Sequence, residues 1–80
     1  MDILNKEIFN KLINLKLNFS SADSGDLYFY GQFEGKKVKA IVSEDNVCNI
    51  EFNVNESIAN LSGFYFCQIF VDDEMIFSNH

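Results

Sequence analysis

Near the start of the chain apolar residues recur at helical spacing; from there on they recur at every second position. Leu4, Ile8, Leu12 and Leu15 fall on one narrow stripe of a helix. Asp2 is placed to cap its start, and Asp2/Lys6 and Glu7/Lys11 are i,i+4 pairs in the favourable order. The polar side is mostly Asn with a few mixed charges, so the stripe predicts a helix packed on a core. A membrane-surface helix would carry a strongly basic face. From Ile13 the period changes: Ile13, Leu15, Leu17 and Phe19 alternate with Asn14, Lys16, Asn18 and Ser20, a strand pattern that the turn residues of SADSGD interrupt.

LYFYGQF and KKVKAIV follow, separated by Glu34-Gly35, a two-residue hairpin turn in which Gly supplies a positive φ. That turn sets a register. Phe33 faces Lys36, Gly31 faces Val38, Phe29 faces Ala40 and Leu27 faces Val42, an almost wholly apolar face. The opposite face pairs Tyr28 with Ile41, Tyr30 with Lys39 and Gln32 with Lys37. A one-residue slip would destroy the segregation. VCNIEFNV alternates as cleanly, and matching Val42 to Cys48, Ala40 to Ile50 and Val38 to Phe52 makes it the next strand, with SEDNV as the connection. NESIANLSG reads as a helical turn ended by Gly63. FYFCQIFV and MIFS form a last hairpin with Asp72-Asp73 at its tip, and FYFCQIFV, apolar on both faces, is expected to be central or doubly covered.

The expected fold is therefore α+β, a single domain over 1–80: one N-terminal helix packed on an antiparallel β-sheet of about five or six strands, mostly a meander. Leu27, Phe29, Phe33, Val38, Ala40, Val42, Ile50 and Phe52 are its predicted core, lying under Leu4, Ile8 and Leu12.

Composition agrees with a small globular domain. Of 80 residues 48% are hydrophobic, with nine Phe and three Tyr, aromatics that a disordered chain lacks. A chain this short buries roughly 60% of its unfolded surface, so its core must be efficient. No apolar run approaches the roughly 18 residues needed to span a membrane, and the charges in MDILNKEIFNK do not fit a signal peptide. A cytoplasmic protein is expected, in the host cytoplasm if a phage encodes it. Cys48 and Cys67 are too few for a disulfide framework and read as buried reduced thiols. Heavy use of Asn, Ile, Phe and Lys, with no Arg, Pro, Trp or Thr, suggests an AT-rich genome.

Charge changes the picture most. The chain carries 12 acids against 6 Lys, a net charge of −6, and from Ala40 to His80 there is no Lys at all. If consecutive strands simply alternate in direction, one end of the sheet gathers Asp23, Asp26, Glu44, Asp45, Asp72, Asp73 and Glu74. Three readings compete for such an acidic pole. Turn acids keep a small domain soluble and discourage edge pairing. A calcium loop needs oxygens at alternate positions around a Gly, a spacing none of these stretches has. A one-signed field also steers a basic partner, and surfaces of that kind are mostly those that grip nucleic-acid phosphates.

Catalytic signatures are missing. The one His is the last residue, the four Gly are scattered singly, and no nucleophile–base pair is credible, so neither catalysis nor a metal or other cofactor is expected. The outward cluster of Tyr28, Tyr30, Gln32, Lys37 and Lys39 has the residue types that stack bases, but the net negative charge opposes direct nucleic-acid binding. The cluster suits protein contact better.

In size, acidity and lack of catalytic residues the chain resembles toxin-immunity proteins and phage anti-defence inhibitors, including anti-CRISPR proteins. That likeness is compositional and carries over no residue. The expected function is a small acidic, non-catalytic inhibitor that occupies a basic, nucleic-acid-binding surface of a partner protein. Asp23, Asp26, Glu44, Asp45, Asp72, Asp73 and Glu74 would make the contact, with Tyr28 and Tyr30. The alternative is an interaction module or homo-oligomeric subunit, such as a homodimer, without inhibitory function.

Overall fold

A computed structural model describes residues 2–44, 51–55 and 64–78. It is mostly β. Seven antiparallel strands run in the order β1-β7-β6-β4-β3-β2-β5, and since β1 is only Asp2–Ile3, six strands form the body of a curled half-barrel. The others are β2 (Lys16–Asp23), β3 (Asp26–Phe33), β4 (Lys36–Glu44), β5 (Glu51–Asn53), β6 (Phe64–Val71) and β7 (Glu74–Ser78). The helix α1 (Lys6–Lys11) is a minor element.

The N-terminal stripe is cut short by strand pairing. Asp2 and Ile3 lie opposite Ser78 and Phe77, and the N–H groups of Leu4 and Asn5 both donate to the Ile76 carbonyl, at 2.9 and 3.3 Å. The chain therefore stays extended until Asn5, which replaces Asp2 as the cap: its Oδ1 accepts from the Ile8 N–H at 3.1 Å. Leu4 consequently stands 57% exposed instead of lying in the core. Phe9 and Leu12 are the buried residues of this segment, with Ile8 half-buried. The Phe9 ring stacks on Phe77 with centroids 5.3 Å apart. A six-residue helix is too short to persist on propensity; this aromatic contact holds it on the sheet.

The central hairpin has the register that its alternation and turn demand. Leu27↔Val42, Phe29↔Ala40, Gly31↔Val38 and Phe33↔Lys36 share one face, and Tyr28↔Ile41, Tyr30↔Lys39 and Gln32↔Lys37 the other. Leu27, Phe29, Val38, Ala40, Val42 and Phe52 are buried, while Phe33 is only partly so. Ile50 lies outside the described residues. Gly31 is there for Leu17: a Cβ on it would stand 2.6 Å from the Leu17 Cδ2, and Leu17 is itself fully buried. Strand β2 starts at Lys16, later than the alternation from Ile13 suggests, because Leu15 first closes a turn on the Leu12 carbonyl at 2.9 Å. It then runs through most of SADSGD, leaving Ser24-Gly25 as a two-residue turn with both φ positive.

The expected meander fails at β5. Phe52 does not pair with Val38; β5 crosses to the far edge and pairs with β2 through Lys16↔Asn53, Leu17↔Phe52 and Asn18↔Glu51. The place beside β4 goes to β6, with Val38↔Val71, Ala40↔Ile69 and Val42↔Cys67. Both segments alternate correctly for that slot. The eight-residue β6 covers β4 along its length, whereas β5 has three residues. The Cys48 and Ile50 pairings and the NESIANLSG turn fall outside the described residues, apart from Asn55. Strand β6 is central, as its composition suggests, but over residues 67–71 only one face is buried: Cys67, Ile69 and Val71 lie inside, while Gln68 and Phe70 are half-exposed.

Two substitutions test this arrangement. Phe29 sits edge-on to Phe19 at 5.8 Å and tilted against Phe52 at 5.6 Å, so Phe29→Ala should lower the unfolding free energy by about 3–5 kcal/mol in denaturant melts. A loss below 1 kcal/mol would contradict the packing. At the last hairpin Asp72 and Asp73 both have positive φ, 47° and 67°, a conformation that strains any non-glycine residue. Asp73→Gly should therefore stabilise the fold by about 0.5–1 kcal/mol. Asp72→Ala, which removes a carboxylate engaged by β4, should cost about 1–2 kcal/mol.

Candidate functional site

The change of neighbour at β4 redistributes the acids. Because β6 runs antiparallel to β4, with Glu44↔Phe64 at one end and Val38↔Val71 at the other, the Asp72-Asp73 tip lies beside the start of β4. The expected pole is therefore divided. Asp23 and Asp26, paired across β2 and β3, share the Gly25 end of the sheet with the backbone of Glu44. Asp72, Asp73 and Glu74 stand at the opposite, Gly35 end, with Glu34. Asp45 lies outside the described residues. The parity argument fails for one reason: a strand that leaves for the far edge removes one reversal from the sequence of neighbours, so every later turn changes ends.

Asp72 has a structural task at its new position. Its Oδ1 accepts from the Lys37 backbone N–H at 2.9 Å, and its own N–H donates to the Lys37 carbonyl at 2.9 Å. These two bonds splice the tip of the β6–β7 hairpin to the first residues of β4. Asp fits because its short acceptor reaches back to a backbone N–H and tolerates positive φ better than most side chains. Asp73, Glu74 and Glu34 remain exposed around this splice.

The sheet face turned away from α1 and the core is the second feature. Register assigns its rows. Lys16, Gln32 and Lys37 lie at the Gly35 end. Asn18, Tyr30, Lys39, Phe70 and Met75 come next, then Tyr28, Ile41 and Gln68. Asp23, Asp26 and Ser43 close the Gly25 end. Tyr28, Tyr30, Ile41, Phe70 and Met75 are half-buried in the sheet surface, and among the described residues no second layer covers them. Two lysines lie over rings: Lys37 Nζ is 5.7 Å from the Tyr30 centroid and Lys39 Nζ 4.8 Å from that of Phe70. Tyr28 and Tyr30 are thus where alternation puts them. Phe70 and Met75 join this face only because β6 lies beside β4, which aligns Phe70 with Lys39 and Met75 with Phe70; alternation alone does not place them there.

Among the described residues no group of three or more His, Cys, Asp and Glu is placed to hold a metal ion, and no helix is long and apolar enough to cross a membrane. Cys67 is fully buried, and desolvation pushes its thiol from an ordinary 9.0 up to about 12. The folded state keeps this thiol neutral, whereas the unfolded chain loses the proton near pH 9. Its contribution to stability is therefore complete below pH 9 and is lost as pH rises toward 12. Between those limits wild type should lose about 1.4 kcal/mol per pH unit more than Cys67→Ala. Urea melts of both proteins at pH 8–11 check this; parallel slopes would refute it.

Compared with known proteins, the chain matches no family, no curated sequence and no solved structure.

Proposed function

We propose that this chain is a small acidic, non-catalytic binding protein that occupies a basic surface of a partner protein, in the manner of an inhibitor. The partner is of the kind that grips nucleic-acid phosphates, as in the anti-defence and immunity proteins whose composition this chain resembles. The observation that carries the reading is the splice at Asp72. It holds two hairpin tips together, so that the exposed carboxylates of Glu34, Asp73 and Glu74 are presented from one fixed support. Preorganised charge loses little conformational freedom on binding, and a field of one sign accelerates encounter with an opposite surface. Lys37, the nearest cation in sequence to the splice, turns its Nζ onto Tyr30.

The variant Glu34→Gln, Asp73→Asn, Glu74→Gln removes the exposed charges and leaves Asp72 in place. Immobilised wild type, exposed to an extract of a low-GC bacterium, should retain a basic nucleic-acid-binding protein that salt elutes and a competing oligonucleotide displaces. The variant should melt within a few degrees of wild type, associate with the purified partner at least about tenfold more slowly, and show a shallower dependence on salt. Equal rates and slopes for the two proteins, or a captured partner that still binds its nucleic acid, would refute the proposal.

A further inference from the structure

The outward sheet face carries a charge pattern that complements itself. In a protein with only 6 Lys, Lys16, Lys37 and Lys39 all lie on this face, toward its Gly35 end. Asp23 and Asp26 lie on it at the Gly25 end. The lysine half also holds two acids, Glu51 opposite Asn18 at the β5 edge and Asp72 beside Lys37, whose carboxylate is already engaged by the Lys37 N–H. Between the charged ends run Tyr28, Tyr30, Ile41 and Phe70, half-buried and uncovered among the described residues. We infer that a second copy of this chain docks on this face, about a two-fold axis lying between the two sheets and crossing the strands midway between Tyr28 and Tyr30.

The axis follows from the register. Rotation about it reverses strand direction and keeps the lateral order of strands, so each strand faces its own counterpart end to end. The Lys16 row then lies over the Asp23 row on β2. Lys37 lies over Ser43 beside Asp26, and Tyr30 lies over Tyr28. Cations meet acids at both ends at once, which is the isologous condition that closes a dimer and leaves no open filament. With strands parallel instead, lysine would face lysine and acid would face acid. A basic macromolecule on this face would meet its three lysines. A nucleic acid would meet Asp23 and Asp26 as well as the field of net charge −6. The second copy alone satisfies both ends.

Size sets the strength. The two longer dimensions of the molecule, 30 and 24 Å, bound a face of roughly 700 Å², near the low end of the area per partner in specific complexes. The sheet is also curled, so the dimer is a weak, reversible one. It uses neither Glu34, Asp73 nor Glu74, and it stands or falls independently of the partner proposed above.

Sedimentation velocity over a roughly hundredfold range of protein concentration up to the millimolar, at about 0.15 M ionic strength, tests it. Wild type should shift from monomer toward dimer. Lys16→Glu with Lys37→Glu, and separately Asp23→Lys with Asp26→Lys, should each weaken the dimer at least about tenfold, with unchanged circular dichroism as the folding control. All four substitutions in one chain re-create the pattern in mirror image and should restore association. Wild type that stays monomeric, pairs of reversals that leave the dimer intact, or a fourfold variant that is no better than the pairs would each overturn the inference. So would a monomer that binds a single-stranded oligonucleotide in a manner lost with Lys16→Glu and Lys37→Glu.

Discussion

Strand β4 has two edges, and what lies along the second one determines most of this molecule. Its first edge is taken by β3 through a two-residue turn, a local pairing that costs little loop entropy. Its second edge is filled by β6 from more than twenty positions away, through Val38↔Val71, Ala40↔Ile69 and Val42↔Cys67. Closing that distance is entropically costly, and the return is an apolar ladder in which all six of those side chains are buried. Once β6 is seated, β7 follows by its hairpin, β1 adds to β7, and the stacking of Phe9 on Phe77 brings the helix down on the same face. The helix is thus a consequence of the sheet.

The same pairing explains why two aspartates in succession occupy positive φ. A two-residue turn between twisted strands needs that geometry at both positions, and Gly or Asn would adopt it with less strain. The other two such turns each use one Gly, at Gly25 and Gly35. Among the described two-residue turns the β6–β7 turn alone has none, and its Asp72 side chain is bonded outside its own hairpin, to β4. The strain at Asp72 is offset by two hydrogen bonds to Lys37 at 2.9 Å. A glycine at 72 would be more relaxed but would keep only the backbone N–H bond to the Lys37 carbonyl and lose the one its carboxylate accepts.

Local pattern was legible wherever both partners lay close in sequence. The Leu27–Val42 register, the burial of Phe29 and the outward placement of Tyr28 and Tyr30 follow from alternation and one turn, because a slip would turn apolar residues to solvent. The helix was legible as a segment with Leu12 inside. Its start was not, because the strand pairing of Asp2–Ile3 depends on residues at the other end of the chain. The neighbour of β4 was illegible for a deeper reason: alternation states which face of a strand is apolar and is silent about which other strand it meets. VCNIEFNV and FYFCQIFV satisfy the same test. Length and total apolar content favoured the second, and sequence proximity misleadingly favoured the first. The site inherited that error whole: Asp72, Asp73 and Glu74 lie at the opposite end of the sheet from Asp23 and Asp26, and of these five only Asp72 and Asp73 are turn residues, the others standing at strand ends.

Dividing the acids changes the electrostatics in kind. An eight-residue strand spans roughly 26 Å, about three times the distance over which exposed charges act at physiological ionic strength. Each end of the sheet therefore meets a partner on its own account, and carboxylates at the Gly25 end add almost nothing to a surface approaching Asp73 and Glu74. A single pole would have attracted by charge density alone. Two separated ends with an aromatic waist between them require geometry to do the selecting. At the Gly35 end that geometry is supplied by the two bonds that tie Asp72 to Lys37, one from its backbone N–H and one to its carboxylate. The residue that looked in sequence like one more exposed carboxylate is the one whose carboxylate is already engaged, and the acids beside it are the ones left to act.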